Sequence, residues 1–169
     1  AYEGADHTDE WLESRIAIRN QWGKGSDFEQ VKLLDRKQIP QGVSISCGAY
    51  DSIDTDLQRV EMDDRLEPVA QFPNNWYKEH TKNDTFVMKI TCKALFLINK
   101  DSAAIDVGKA DVYVDGKYKL TADPHKNGWT HCNPLLVFSE EQAEEHTVEI
   151  RMAAGDEEKK FTILGFGYV

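Results

Sequence analysis

The chain has 169 residues, 40% of them hydrophobic, and a formal net charge of −10. That length allows one domain with a sizeable core. The acidic balance, with no basic stripe to offset it, excludes nucleic acid and anionic membrane surfaces as partners, because both carry charge of the same sign. Neutral sugars and cations such as calcium remain compatible with it. No apolar run approaches the roughly 18–20 residues that span a bilayer, and the start carries no signal-peptide pattern.

Residues 1–27 read as an N-terminal helix and linker. Thr8 can cap a helix over 8–20, Asp9 and Glu10 suit its first turn, and Trp11, Leu12, Arg15, Ile16 and Arg19 recur at helical spacing. Gly23-Lys24-Gly25-Ser26 follows as the linker.

From residue 28 to 169 the pattern predicts a β-sandwich domain. Short strands are expected at 30–34, 42–47, 57–62, 85–91, 94–99, 110–114, 117–121, 135–138, 146–152 and 160–168. Asn74-Asn75, Lys82-Asn83-Asp84, Asp115-Gly116, Asn127-Gly128 and Gly155-Asp156 supply turns between them. This spacing is that of an all-β, antiparallel, jelly-roll-like sandwich. One helical turn is predicted at Ser139-Glu140-Glu141-Gln142, which has the form of a capping box. Residues 51–67 carry seven acidic and two basic side chains, punctuated by Leu57, Val60, Met62 and Leu66, and read as an acidic edge strand and loop.

The clearest patterning lies beyond residue 110. Val112 and Val114 alternate with Asp111 and Tyr113, and Asp115-Gly116 is the dipeptide a type I′ hairpin requires. Val148, Ile150 and Met152 then alternate with Thr147, Glu149 and Arg151. Such period-two patterning builds an antiparallel sheet with one buried face. The three cysteines, Cys47, Cys92 and Cys132, cannot all pair; Cys92 ends the apolar series Phe86, Met88, Ile90 and is expected to be a buried free thiol, with one disulfide among the three as the alternative.

Trp76 and Trp129 are the candidate ligand platforms. Both follow turn-forming residues, and an exposed indole stacks on the C–H face of a pyranose while neighbouring amides, phenols and imidazoles bond its hydroxyls. Asn75, Tyr77, Asn127 and His131 supply such groups. The alternative for each indole is that it closes one end of the core, its N–H bonded to a loop carbonyl. His125, His131 and Cys132 match no closed zinc box. Asp51, Asp54 and Asp56 offer hard oxygen ligands for a structural calcium, without the Asp-x-Asp-x-Asp-Gly register; a solvated acidic edge is the preferred reading. Neither Gly-x-Ser-x-Gly nor Gly-Asp-Ser occurs, and Asp6-His7 has no serine in a sharp turn to serve. Among 30 acidic residues a carboxylate pair can always be found, so none is assigned a catalytic role.

At Ala-Asp-Val-Tyr-Val-Asp-Gly-Lys (110–117), Asn-Gly-Trp (127–129), Glu-His-Thr-Val-Glu-Ile-Arg-Met (145–152) and Phe-Thr-Ile-Leu-Gly-Phe-Gly-Tyr (161–168) the chain resembles the jelly-roll, carbohydrate-binding-module-like accessory domains of SGNH/GDSL-type esterases from gut and rumen Firmicutes. The resemblance covers roughly residues 55–169. The family's Gly-Asp-Ser nucleophile block is absent, so the esterase activity does not carry over. What the resemblance implies is an extracellular bacterial β-sandwich beside an attached catalytic domain that acts on plant cell-wall polysaccharide. The expected function is therefore non-catalytic polysaccharide or oligosaccharide binding through Trp129 and Trp76, without a cofactor. A structural accessory domain that packs on an esterase without binding sugar is the alternative.

Overall fold

The computed structural model describes residues 30–56, 72–126 and 131–169, His131 by its backbone only. The helix expected over 8–20 and the strand expected at 57–62 lie outside the described residues. Eight strands form: β1 (Lys32–Leu34), β2 (Ser44–Ser46), β3 (Trp76–Lys78), β4 (Phe86–Asp101), β5 (Ala110–Val114), β6 (Lys117–Ala122), β7 (His131–Met152) and β8 (Phe161–Tyr168). Among the described residues there is no helix. Six strands run in the order β1-β8-β4-β7-β5-β6, with β2 on β4 and β3 on β8, and every strand ladder is antiparallel.

Two strands are long enough to serve both layers of a sandwich. Residues 86–92 of β4 pair with residues 144–150 of β7, whereas residues 94–101 pair with 131–139. The first half of β4 is flanked by β2 and the second half by β8. The register breaks between Cys92 and Ala94, where both strands pass from one layer to the other. Met88, Ile90, Val112, Val148 and Ile150 from the first layer meet Leu34, Trp76, Leu95, Leu97, Ile163 and Phe166 from the second in one buried cluster. Phe86 stacks on Phe166 across the layers at 5.7 Å between ring centroids. Each such aliphatic or aromatic side chain contributes about 1.5–3 kcal/mol on burial.

The expected alternation holds where one sheet face meets water. Phe86, Met88, Ile90 and Cys92 are buried, while Val87 is half-buried and Lys89, Thr91 and Lys93 are exposed. It fails in the second half of β4, which is buried on both faces. Leu95 and Leu97 join the main core, Ile98 packs with Phe72, Cys132 and Leu164, and Ala94 and Phe96 form a third cluster.

The hairpin at Asp115-Gly116 forms as expected, with φ of 51° and 79° at the two central residues, and Val112 and Val114 register with Ile150 and Val148. Cys92 is a buried thiol, and burial pushes its pKa up to about 12. Since Cys47 is also free, the chain has no internal disulfide.

The helical turn expected at Ser139-Glu140-Glu141-Gln142 is corrected. β7 is strand throughout from His131 to Met152, but its register on β4 jumps from Ala94↔Ser139 to Cys92↔Glu144. Residues 140–143 therefore stand opposite Lys93 alone. The Ser-x-x-Gln pattern sits on a bulge, and pairing on both sides of it overrides the local helical preference.

Candidate functional site

Three short segments are tied together at one end of the second layer. The Asn75 carboxamide donates to the carbonyls of Phe72 (2.9 Å) and Asp54 (3.0 Å) and accepts from the Asp54 N–H at 2.8 Å. Arg36 donates to the carbonyls of Asn75 (2.6 Å), Tyr50 (3.2 Å) and Ser52 (2.8 Å). Lys78 is fully buried, its ammonium donating to the carbonyls of His80, Glu157 and Lys159. Burial lowers the Lys78 pKa. These bonds replace water around groups that would otherwise be costly to bury.

The strand so positioned, β3, presents Tyr77 to a cleft of about 130 Å³. Asp56, Lys100 near the end of β4, Ser102 just beyond it, Asp106 in the following loop, and Lys160 and Thr162 at the start of β8 add polar lining. Asp54 forms the floor: its buried carboxylate accepts from Lys100 Nζ at 3.0 Å and Thr162 Oγ1 at 2.6 Å. Lys160 and Asp106 pair at 3.3 Å, and that contact raises the Lys160 pKa. Desolvation raises the Tyr77 pKa, so its phenol is a neutral donor and acceptor. Pockets that enclose a small ligand run to roughly 300–1,000 Å³. The described walls of this cleft therefore make a contact surface with paired charges and two aromatic residues, of which Phe161 is buried.

The residues expected at a sugar site divide. Trp76 is corrected: it is 3% exposed and packs edge-on against Phe86. It belongs to a strand rather than a loop, and its alternation with Tyr77 turns the indole inward. Asn75 is also corrected, being fully buried with its carboxamide engaged in the latch. Tyr77 reaches the cleft. Trp129 and Asn127 lie outside the described residues. The segment that holds them is bounded on one side by residues fixed near the cleft, where the Ser102 N–H donates to the Pro124 carbonyl and His125 Nε2 bonds the Val107 carbonyl. On the other side His131 registers with Asp101.

The acidic triplet does not converge as a loop site would. Asp54 is held by Lys100 and Thr162, while Asp51 pairs with His80 at 3.2 Å. For the described histidine rings, hydrogen bonds go to carboxylates or a backbone carbonyl and none goes to a hydroxyl or thiol. Sequence reasoning missed two features. Tyr118 stands 58% exposed on β6, edge-to-face with Tyr113, whose ring lies under Arg151 at 4.2 Å. At and just beyond the bulge of β7, Glu140, Glu144 and His146 gather their ligand atoms within 4.8 Å of one another. The alternation of β5 and β6 gave a signal for the first; nothing local in the sequence signals the second.

Together, these strands define a two-layered, antiparallel, jelly-roll-like β-sandwich with a polar cleft at one end. No protein-family model matches the sequence, and no curated protein matches it. Solved structures do. A two-domain esterase active on acetylated mannans superimposes with a TM-score of 0.59 at 14% identity, covering 83% of this chain and 36% of that one. The same description of esterase, co-crystallised with mannopentaose, gives 0.57 over 83% and 37%. A family 35 carbohydrate binding module from an environmental isolate gives 0.48 at 13% identity, covering 80% of this chain and 90% of the module. The chain thus shares a fold with part of the esterase and spans little more than a third of its length.

Proposed function

We propose that this chain is a non-catalytic carbohydrate-binding β-sandwich that recognises a plant cell-wall polysaccharide, working extracellularly beside an attached catalytic domain. The observation that carries the reading is the cleft itself. It combines the ring of Tyr77 with Lys100, Ser102, Asp106 and Lys160, and the residues on both sides of the Asn127–Trp129 stretch are anchored next to it. A neutral sugar needs an apolar plate for its C–H face and mixed donors and acceptors for its hydroxyls, and loops at the end of a sandwich are where such groups concentrate. Trp129 is the proposed plate, with Tyr77, Asn127 and His131 as polar contacts. The shared fold with an esterase active on acetylated mannans makes mannans the first ligands to test, within a panel of soluble plant polysaccharides.

Affinity electrophoresis in gels containing these polysaccharides tests the reading. Retardation of the parent that is lost in Trp129→Ala and reduced in Tyr77→Ala supports it. Loss in Tyr118→Ala alone would move the site to the β5–β6 face.

One observation favours the alternative of an accessory domain that packs on an esterase. Ile105, between the cleft-lining residues Ala104 and Asp106, is 89% exposed. No retardation by any polysaccharide, with Ile105→Asp weakening association with the catalytic domain, would establish that reading instead.

A further inference from the structure

The bulge of β7 brings together groups that the cleft does not use. His146 Nδ1 lies 2.6 Å from Asp115 Oδ2, and the other oxygen of Asp115 accepts the Thr147 N–H at 2.9 Å, which fixes the carboxylate. The imidazole packs against the Phe138 ring at 4.5 Å between centroids, and only 11% of its side chain is exposed. Its second nitrogen, Nε2, lies 2.5 Å from Glu140 Oε1, with a Glu144 oxygen inside the same 4.8 Å group.

A ring that donates from Nδ1 to Asp115 holds a lone pair on Nε2 when neutral, and that lone pair faces a carboxylate oxygen. The contact is repulsive unless a positive centre lies between the two atoms. A proton fits the 2.5 Å separation and supplies that centre without involving Glu144. A divalent metal ion uses all three groups. We propose that His146 Nε2, Glu140 and Glu144 bind a first-row divalent cation of the zinc type, with Asp115 as the partner that orients the imidazole.

The ligand set decides the class of ion. An imidazole nitrogen with two carboxylates suits zinc and its neighbours, whereas calcium and magnesium prefer oxygen alone. A carboxylate on the far nitrogen is the usual partner of a metal-bound histidine, fixing its tautomer and raising its basicity. Bonds of about 2.0–2.1 Å in a tetrahedral site place ligand atoms about 3.3 Å apart. Glu140 must therefore withdraw slightly and Glu144 close in; both are exposed, Glu140 on the bulge and Glu144 at its edge opposite Cys92. The bulge is what makes the set possible: with four residues opposite Lys93 alone, β7 can turn Glu140 back toward His146 instead of carrying it along the strand.

Zinc titrated into metal-free protein by calorimetry tests the site, with Co²⁺ absorption as the second readout. The expected result is one saturable Zn²⁺ per chain, binding at least 10-fold weaker in Glu144→Gln and absent in His146→Gln, with His125→Ala unchanged. Because Glu144 is exposed, its substitution leaves folding intact, and circular dichroism checks both variants. No saturable binding by the parent, unchanged binding in Glu144→Gln, or loss in His125→Ala would overturn the proposal.

Discussion

Trp76 stands edge-on to Phe86, ring centroids 5.4 Å apart, and tilts against Phe166 at 5.9 Å. The indole thereby joins β3, β4 and β8 at the centre of the sandwich, beneath the cleft rather than on it. Replacing it leaves a cavity among aromatic rings. Trp76→Ala should cost about 3–5 kcal/mol of stability, read as a large fall in the urea midpoint. A fall of under about 0.5 kcal/mol, typical of surface positions, would mean that the indole is not core.

The turn at Asp115-Gly116 separates backbone strain from side-chain loss. A Cβ at Gly116 would meet nothing within 4 Å, so a substitution there acts only through the positive φ of 79°. Gly116→Val should destabilise by about 1–2 kcal/mol, while Lys117→Ala should stay within about 0.5 kcal/mol. Equal small effects from both would contradict the hairpin register.

Val148 registers with Met88 on one side and Val114 on the other and is fully buried. Val148→Asp would place a carboxylate with no cation in reach of the core, and an unpaired buried charge is among the costliest single changes. The expected outcome is loss of the cooperative thermal transition. A folded variant with its transition preserved would mean that this face of β7 is open to water.

These residues show how far the sequence can be read. Val112, Val148 and Ile150 were legible because their faces meet core on one side and water on the other. The strand at 94–99 was legible too, but its burial was not, since burial on both faces erases the period of two. Trp76 was misread because β3 has only three residues, and its one lysine, Lys78, is buried on three carbonyls instead of marking the solvent side. The bulge at 140–143 was hidden for another reason. Ser139 and Gln142 fit a helix start locally, and only pairing with β4, nearly 50 residues earlier in the chain, decides against it. Of the expected sugar contacts, Tyr77 alone is described at the cleft.

Acid should weaken the loop that carries Lys109. The Lys109 N–H donates to Asp156 Oδ2 at 2.8 Å, and this bond, with Lys159 beside it, holds the Asp156 pKa below its ordinary value. A carboxylate depressed in the folded state adds stability above its unfolded pKa of about 3.9, and that stability is lost as pH falls through the folded value. Urea midpoints measured from pH 6 down to pH 2 should therefore fall more steeply for the parent than for Asp156→Asn. Parallel curves would show that the bond does not hold Asp156 ionised.

The most direct test of the carbohydrate-binding account is amide chemical-shift mapping with soluble manno- and xylo-oligosaccharides. The account predicts saturable shifts concentrated at Tyr77, Lys100, Ser102, Asp106 and the flanks of the Asn127–Trp129 stretch, with little change along β5 and β6. Shifts confined to Tyr113, Tyr118 and Arg151, or none at millimolar oligosaccharide of either kind, would contradict it.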